Sequence, residues 1–228
     1  FMAIFAIGDL HLSLGSDKPM DVFPGGEGYL PKLEANWRRL ISPGDTVLLA
    51  GDTSWAMNLN DTRADFAFIQ SLPGQKWLIK GNHDYWWTTT RKMETFLAAN
   101  GFDSLHILHN NACLVGDTAL CGTRGWPFDD AAAQGEKLMA REAGRLRMSL
   151  QAAGDTPRKI AFLHYPPVFP GACAEELVAV LHEFGVTECY YGHLHGKSIH
   201  YARQGVADGI TYRLISADGL GFCPCKIG

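Results

Sequence analysis

Gly81-Asn82-His83-Asp84 concentrates more chemistry than a turn requires. The four residues follow Lys76 to Lys80, a largely apolar run that reads as a short buried strand. Asn82 offers a neutral carbonyl oxygen suited to a cation, His83 a ring that exchanges protons near neutral pH, and Gly81 a backbone able to turn between them. The construction recurs. Ala3 to Ile7 runs into Gly8-Asp9-Leu10-His11, Val47 to Ala50 into Gly51-Asp52, Ile160 to Leu163 into His164, and Cys189 to Tyr191 into Gly192-His193-Leu194-His195. In open α/β sheets ligands bind beyond the carboxyl ends of the strands, so these distant strand ends can converge on one crevice.

In an extended strand residues i and i+2 point to one side, about 6.5 to 7 Å apart. Asp9 and His11 are expected to face one way together, and His193 with His195 likewise. Asp9, His11, Asp52, Asn82, His164, His193 and His195 are too many donors for one four-coordinate zinc and suit two cations sharing a carboxylate. Asp52 is the expected bridge, since its two oxygens can serve both ions. A pair of divalent cations outweighs Asp9 and Asp52, leaves the pocket positive, attracts a phosphate, and lowers the pKa of a shared water toward about 7. His83, left over once the ligands are assigned, is the expected general acid for the leaving oxygen. Mixed imidazole and oxygen donors without thiolate suit Mn, Fe, Zn, Co or Ni better than Cu(I), Mg or Ca.

The elements that must position these residues alternate. Lys32 to Ile41, Asn60 to Leu72 and Thr88 to Asn100 have amphipathic helical spacing, with Asn60 or Asp61 a cap for the second. Strand, helix, strand, helix, strand implies a parallel sheet with right-handed crossovers. Leu105 to Leu108, Cys113 to Val115 and Ala119 to Cys121 read as shorter strands shifting toward antiparallel pairing. Ala131 to Ala153 and Ala174 to Phe184 are further helices, and Lys197 to Ser216 reads as a hairpin. The expectation is two mixed sheets with helices outside, in one domain spanning residues 1–228. Leu12 to Pro31 is long enough to be a lid carrying Phe23 and Tyr29, or an ordered surface loop.

The chain has a net charge of -4 and no basic block, which disfavours a general nucleic-acid platform. No apolar run approaches the roughly 20 residues of a membrane span, and no basic leader precedes the first strand, so the expected setting is the cytoplasm. The six cysteines read as reduced thiols; Cys223-Pro224-Cys225 could hold a soft metal or a strained bridge.

These blocks, in this order, resemble the calcineurin-like metallophosphoesterase superfamily, whose pattern is Asp-x-His, Gly-Asp, Gly-Asn-His-Glu/Asp, a lone His and Gly-His-x-His. The resemblance implies a four-layer α/β/β/α sandwich, two mixed sheets face to face. It also implies that Asp9, His11, Asp52 and His195 hold one metal, that Asp52, Asn82, His164 and His193 hold the other, and that His83 faces the substrate. Protein phosphatases of that group continue Gly-Asp-x-x-Asp-Arg-Gly, whereas this chain reads Gly51-Asp52-Thr53-Ser54-Trp55-Ala56-Met57. The acid that orients the histidine and the phosphate-binding arginine are both missing. Trp55 stands where purple acid phosphatases place a metal-binding tyrosine. Asp84 is either the orienter of His83 or a support of its loop. Arg124 could clamp a phosphate or form a structural ion pair. Trp55, Trp86 and Trp126 could stack on a flat leaving group or close the core. The expected activity is hydrolysis of small phosphate mono- or diesters, diesters preferred, with two divalent ions (Mn, Zn or Fe); the alternative is a catalytically silent binding scaffold. His106, His109, His182 and His200 match no block and are expected to be surface or packing residues.

Overall fold

A strand buried on both faces has no solvent side, so each alternate residue must find its own apolar neighbour. The computed structural model, which describes residues 2–15, 28–126 and 133–228, shows this in β1 (Ile4–Ile7). Phe5 and Ile7 join one core cluster with Leu33 and Trp37 of α1 (Tyr29–Leu40), while Ile4 and Ala6 join another. The alternation repeats in β2 (Thr46–Leu49), where Val47 and Leu49 meet the helices and Leu48 faces away from them.

After α2 (Arg63–Ser71), β3 (Gln75–Leu78), α3 (Thr90–Ala99) and β4 (Leu105–Ile107) complete the parallel half. Then come β5 (Cys113–Val115), β6 (Thr118–Thr123), α4 (Ala133–Ala152) and β7 (Arg158–Leu163). A two-stranded ribbon, β8 (Val168–Phe169) with β9 (Ala172–Cys173), precedes α5 (Glu175–Glu183) and β10 (Glu188–Tyr191). The chain closes with β11 (Gly205–Ala207), β12 (Ile210–Leu214) and β13 (Cys225–Ile227).

One sheet has the order β13-β1-β2-β3-β4 and the other β11-β12-β10-β7-β6-β5. Both are mixed: β13 runs antiparallel to β1, β5 to β6 and β11 to β12, and every other pair is parallel. Three apolar clusters mark three interlayer contacts. α1, α2 and α3 cover the first sheet with Trp37, Phe66 and Phe96, and α4 and α5 cover the second with Leu146, Leu150, Leu177 and Leu181. Between the sheets lie Leu48, Ile79, Leu120, Ile160, Phe162 and Tyr190. This is the four-layer α/β/β/α arrangement; each fully buried large side chain contributes about 1.5 to 3 kcal/mol.

Several sequence expectations are corrected. α1 begins at Tyr29, and the Tyr29 ring packs 5.2 Å from Phe222 instead of lying in a lid; most of the proposed lid, with Phe23, lies outside the described residues. Asn58, not Asn60 or Asp61, caps the 3-10 turn Leu59–Thr62 ahead of α2, accepting from the Asn60 and Asp61 backbone. β4 is parallel to β3 and β6 to β7, so antiparallel pairing in that region is confined to β5 with β6. Gly196–Tyr201 is a 3-10 helix in place of the first half of the expected hairpin, because Ser198 closes a local capping box with His195. Cys223 and Cys225 are free thiols, and Cys225 starts β13.

Candidate metal centre and active site

β1, β2, β3, β7 and β10 all run parallel to a neighbour and deliver their carboxyl ends to one side of the two sheets. The side chains that follow are not aimed by strand pleating. Asp9, His11, Asp52 and His193 have φ of 59°, 45°, 50° and 72°, a left-handed backbone that costs a non-glycine residue roughly 1–2 kcal/mol. The expected i, i+2 strand geometry is thus replaced by sharp turns just past the strands. Hydrogen bonds between loops hold those turns: Asp9 N donates to Gly51 O (2.9 Å), His11 N to Asp52 O (2.8 Å) and Trp55 N to Leu12 O (2.8 Å). Buried Asp65 on α2 accepts from Leu14 N at 2.7 Å and from the Ser54 hydroxyl, tying both loops to one helix.

The close approach leaves no room for extra atoms. A methyl group at Gly81 would overlap the Asp52 backbone nitrogen and carboxylate, and one at Gly192 would overlap the Asp9 carboxylate. Glycine is required at both strand ends for that reason.

Around Asp9, His195 Nε2 lies 3.2 Å from Oδ1 and 3.3 Å from His11 Nε2. Asp52 Oδ2 stands 3.7 Å from His11 Nε2 and 3.5 Å from His164 Nε2. Asn82 Oδ1 is 2.6 Å from His164 Nε2 and 3.0 Å from His193 Nδ1. Asp9 with His11 and His195, and Asp9 with Asp52 and His164, each present donor atoms within 4.8 Å of one another. All seven sequence candidates therefore converge, and Asp52 Oδ2 lies between a histidine of one group and a histidine of the other.

The outer partners fix ring orientation. His164 Nδ1 lies 3.0 Å from Ala50 O, the geometry of a donor, which leaves Nε2 to face the cluster. His195 Nδ1 lies 3.1 Å from Asp218 Oδ1, and Gly196 N donates to Asp218 Oδ2 at 2.8 Å. Sequence reading missed Asp218. Its signal was present: Ile210, Tyr212 and Leu214 alternate as in a half-buried strand, which runs through Ile215 into Ser216-Ala217-Asp218-Gly219, an acid followed by glycine.

Electrostatics show what this packing lacks. Burial opposes charge on Asp9, but the facing His195, His164 and His11 outweigh it and hold the carboxyl below its ordinary range. Burial, with the Asp9 charge added, pushes Asp52 up. Two buried carboxylates this close cannot both ionise without cations. Burial lowers His11 to about 3 and His193 to about 4, leaving neutral rings with lone pairs to offer. Burial would lower His195 too, but Asp9 and Asp218 raise it to about 10. Neutral imidazoles at His11 and His193, an amide oxygen at Asn82 and two buried carboxylates fit divalent cations of borderline hardness.

His83 sits at the rim, half-buried. Its backbone N–H donates to Asp52 Oδ1 (2.7 Å), and its ring lies 4.5 Å from Trp55 and 5.8 Å from His11. Tyr85 Oη is 3.4 Å from its Nδ1. Asp84 is a support. Its carboxylate accepts from the backbone of Gly81 (2.7 Å), Asp52 (2.9 Å), Thr53 (2.9 Å) and Ser54 (3.3 Å), and from Trp86 Nε1 (2.9 Å). Burial and the neighbouring Asp52 raise it to about 6.

Trp55 stacks 4.9 Å from His11, inside the site. Trp86 is not in that wall: 2% exposed, it packs edge-on against Phe66 at 5.0 Å in the core under the loop. Arg124 and Trp126 lie past β6, with the guanidinium 4.7 Å from the indole ring; the Arg124 carbonyl accepts from His164 N (3.1 Å) and Tyr165 N (2.9 Å). His106 stacks on Trp77 and His109 lies edge-on to Trp87, both outside the cluster, and His182 is in the last turn of α5.

Comparison with known proteins bears on the family and the fold. The family model described as calcineurin-like phosphoesterase matches residues 2–197. A search of curated proteins finds no match. Among solved structures, the Aquifex aeolicus protein of unknown function AQ665 is similar over 99% of this chain and 96% of its own, with 14% identity and a TM-score of 0.53. Phosphopantetheinyl hydrolase from Mycobacterium tuberculosis is similar over 94% and 88%, with 15% identity and a TM-score of 0.56. The protein TT1561 of Thermus thermophilus is similar over 92% and 87%, with 12% identity and a TM-score of 0.58. At these identities the likeness speaks for the fold.

Proposed function

This chain belongs to the calcineurin-like phosphoesterase family, a family of phosphoester hydrolases, and from that premise we propose a small phosphate ester, a diester before a monoester, as its substrate. In this reading Asp9, His11, Asp52 and His195 hold one divalent cation and Asp52, Asn82, His164 and His193 a second, with Mn, Zn or Fe the ions of choice. The observation that carries it is the convergence of these seven side chains from five strand ends, with Asp52 Oδ2 within 3.7 Å of His11 Nε2 and 3.5 Å of His164 Nε2. When bound, such ions supply Lewis acidity to a phosphoryl group and to water near neutral pH.

The chain's own residues supply the rest. His83, fixed to Asp52 through its backbone, donates a proton to the leaving oxygen. Trp55 walls the rim on which His83 sits. Leu14, Met57 and Tyr85, all on the loops that carry the site, are more than 45% exposed and present an apolar face to a leaving group. That face, and the lack of the protein-phosphatase Asp-Arg continuation, support small diesters. Residues 1–228 act in this reading as one catalytic domain in the cytoplasm. No helix among the described residues is long and apolar enough to cross a membrane.

The test is turnover of bis-p-nitrophenyl phosphate against p-nitrophenyl phosphate by the wild type, His83→Ala and Asp52→Ala. His83→Ala is expected to keep its metal and lose hydrolysis, and Asp52→Ala to lose both. Undiminished turnover in His83→Ala refutes the assigned acid.

A further inference from the structure

Beside the candidate metal centre, Arg124 and Trp126 are left with unused donors among the described residues. Arg124 Nε and Trp126 Nε1 are both buried and have no hydrogen-bond partner among the described residues, although the two side chains stack on each other at 4.7 Å. A buried N–H without an acceptor costs about 1–3 kcal/mol, so two side by side call for an explanation.

The nearby acids are occupied. Glu142 is fully buried and holds Arg145 (2.6 Å) and the Thr123 hydroxyl (2.6 Å), and Asp84 is filled by four backbone N–H groups and the Trp86 indole. Arg124 has no salt bridge among the described residues. A guanidinium N–H and an indole N–H left without acceptors there, both donors, suit an oxyanion. Arg presents its fork to carboxylate or phosphate, and a stacked aromatic ring holds that fork in plane.

We propose that Arg124 and Trp126 form an anion subsite for a second negatively charged group of the substrate, a carboxylate or phosphate beyond the ester that is cleaved. The inference rests on the phosphoesterase reading for what it selects, but the subsite itself does not depend on turnover. The substrate class narrows to esters of acidic alcohols or phenols. Arg124 reaches the centre through its own carbonyl, which is bonded to the His164 and Tyr165 amides, so the subsite is built on the loop that positions one of the proposed ligands.

The experiment has two readouts. In the protein as purified, the six tryptophan indole N–H resonances are followed by NMR during titration with inorganic phosphate and, separately, acetate, with Trp126→Phe identifying the signal. Trp126 is expected to shift saturably, and Arg124→Met to abolish the shift; a response to phosphate alone or to acetate alone assigns the group. An unmoved signal, or an equal shift in Arg124→Met, overturns the subsite. In parallel, kcat/KM is compared for bis-p-nitrophenyl phosphate and the same diester carrying a carboxylate on one ring. Arg124→Met is expected to lower the preference for the charged diester at least tenfold, and an unaltered preference overturns the inference. An indole shift without hydrolysis of either ester removes the phosphoesterase reading and leaves the subsite standing.

Discussion

Replacing Asp218 should weaken metal binding although Asp218 is not itself one of the proposed ligands. His195 can present Nε2 to the Asp9 and His11 group only while Nδ1 carries the proton, and Asp218 Oδ1, 3.1 Å away, is the acceptor that keeps it there. The same carboxylate accepts from Gly196 N (2.8 Å) and Gly219 N (2.9 Å), so it also fixes the turn that carries the histidine. Outer-shell partners of ligating histidines typically contribute about 10- to 100-fold in metal affinity, or roughly 1.4 to 2.7 kcal/mol. Asp218→Asn keeps one acceptor but loses the charge, and should sit near the tenfold end. Asp218→Ala loses the acceptor as well and should approach a hundredfold. Competition for Zn²⁺ or Mn²⁺ against a chromogenic chelator reads the affinities, and circular dichroism checks the fold. Wild-type affinity in Asp218→Ala, with the fold intact, would refute this role for the carboxylate.

Other consequences follow from packing. Asp84→Ala should cost on the order of 3–5 kcal/mol in urea unfolding, since it strips the acceptor from four backbone N–H groups and an indole at once; a loss under 1 kcal/mol would contradict its bracing role. Gly81→Ala and Gly192→Ala should each abolish metal uptake, because the added methyl overlaps Asp52 and Asp9 respectively, and normal metal content in either would speak against the close approach. Lys76 is fully buried and donates to Leu72 O (2.6 Å) and Gly74 O (2.9 Å), and burial pushes its pKa from 10.5 to about 8. The folded chain thus releases that proton before the unfolded chain does, and between those two values the unfolded state binds more protons. Stability of the wild type relative to Lys76→Met should rise with pH across this window, and a flat or falling difference would show that the folded pKa is not depressed.

The sheets were legible because Ile4 to Ile7, Val47 to Leu49, Ile160 to Leu163 and Cys189 to Tyr191 are buried on both faces and so run as apolar stretches, each followed within a few residues by a polar group that could do chemistry. The seven donors were legible for the same reason: Asp and His do not otherwise finish buried strands. Their geometry was not. Left-handed φ at Asp9, His11, Asp52 and His193 is imposed by hydrogen bonds between loops far apart in sequence, such as His11 N to Asp52 O, and no local propensity announces it. β13 was hidden because it is three residues long, follows Pro224 and pairs only with β1 at the sheet edge. Ile199 and Tyr201 alternate as a strand would, yet Ser198 bonds back to His195 and winds the segment into a 3-10 turn. Trp86 could be read as wall or core from sequence, and only the position of Phe66 and Asp84 decides for the core.

The central claim is that Asp52 holds two cations between groups of donors brought from five strand ends. Metal analysis and bis-p-nitrophenyl phosphate turnover on one preparation, before chelation, after it, and after return of Mn²⁺ or Zn²⁺, test that claim most directly. The account predicts a pair of divalent ions per chain, activity lost with them and restored with them, and neither ion retained by Asp52→Ala. Hydrolysis that survives complete removal of metal, or a full metal complement in Asp52→Ala, would contradict it.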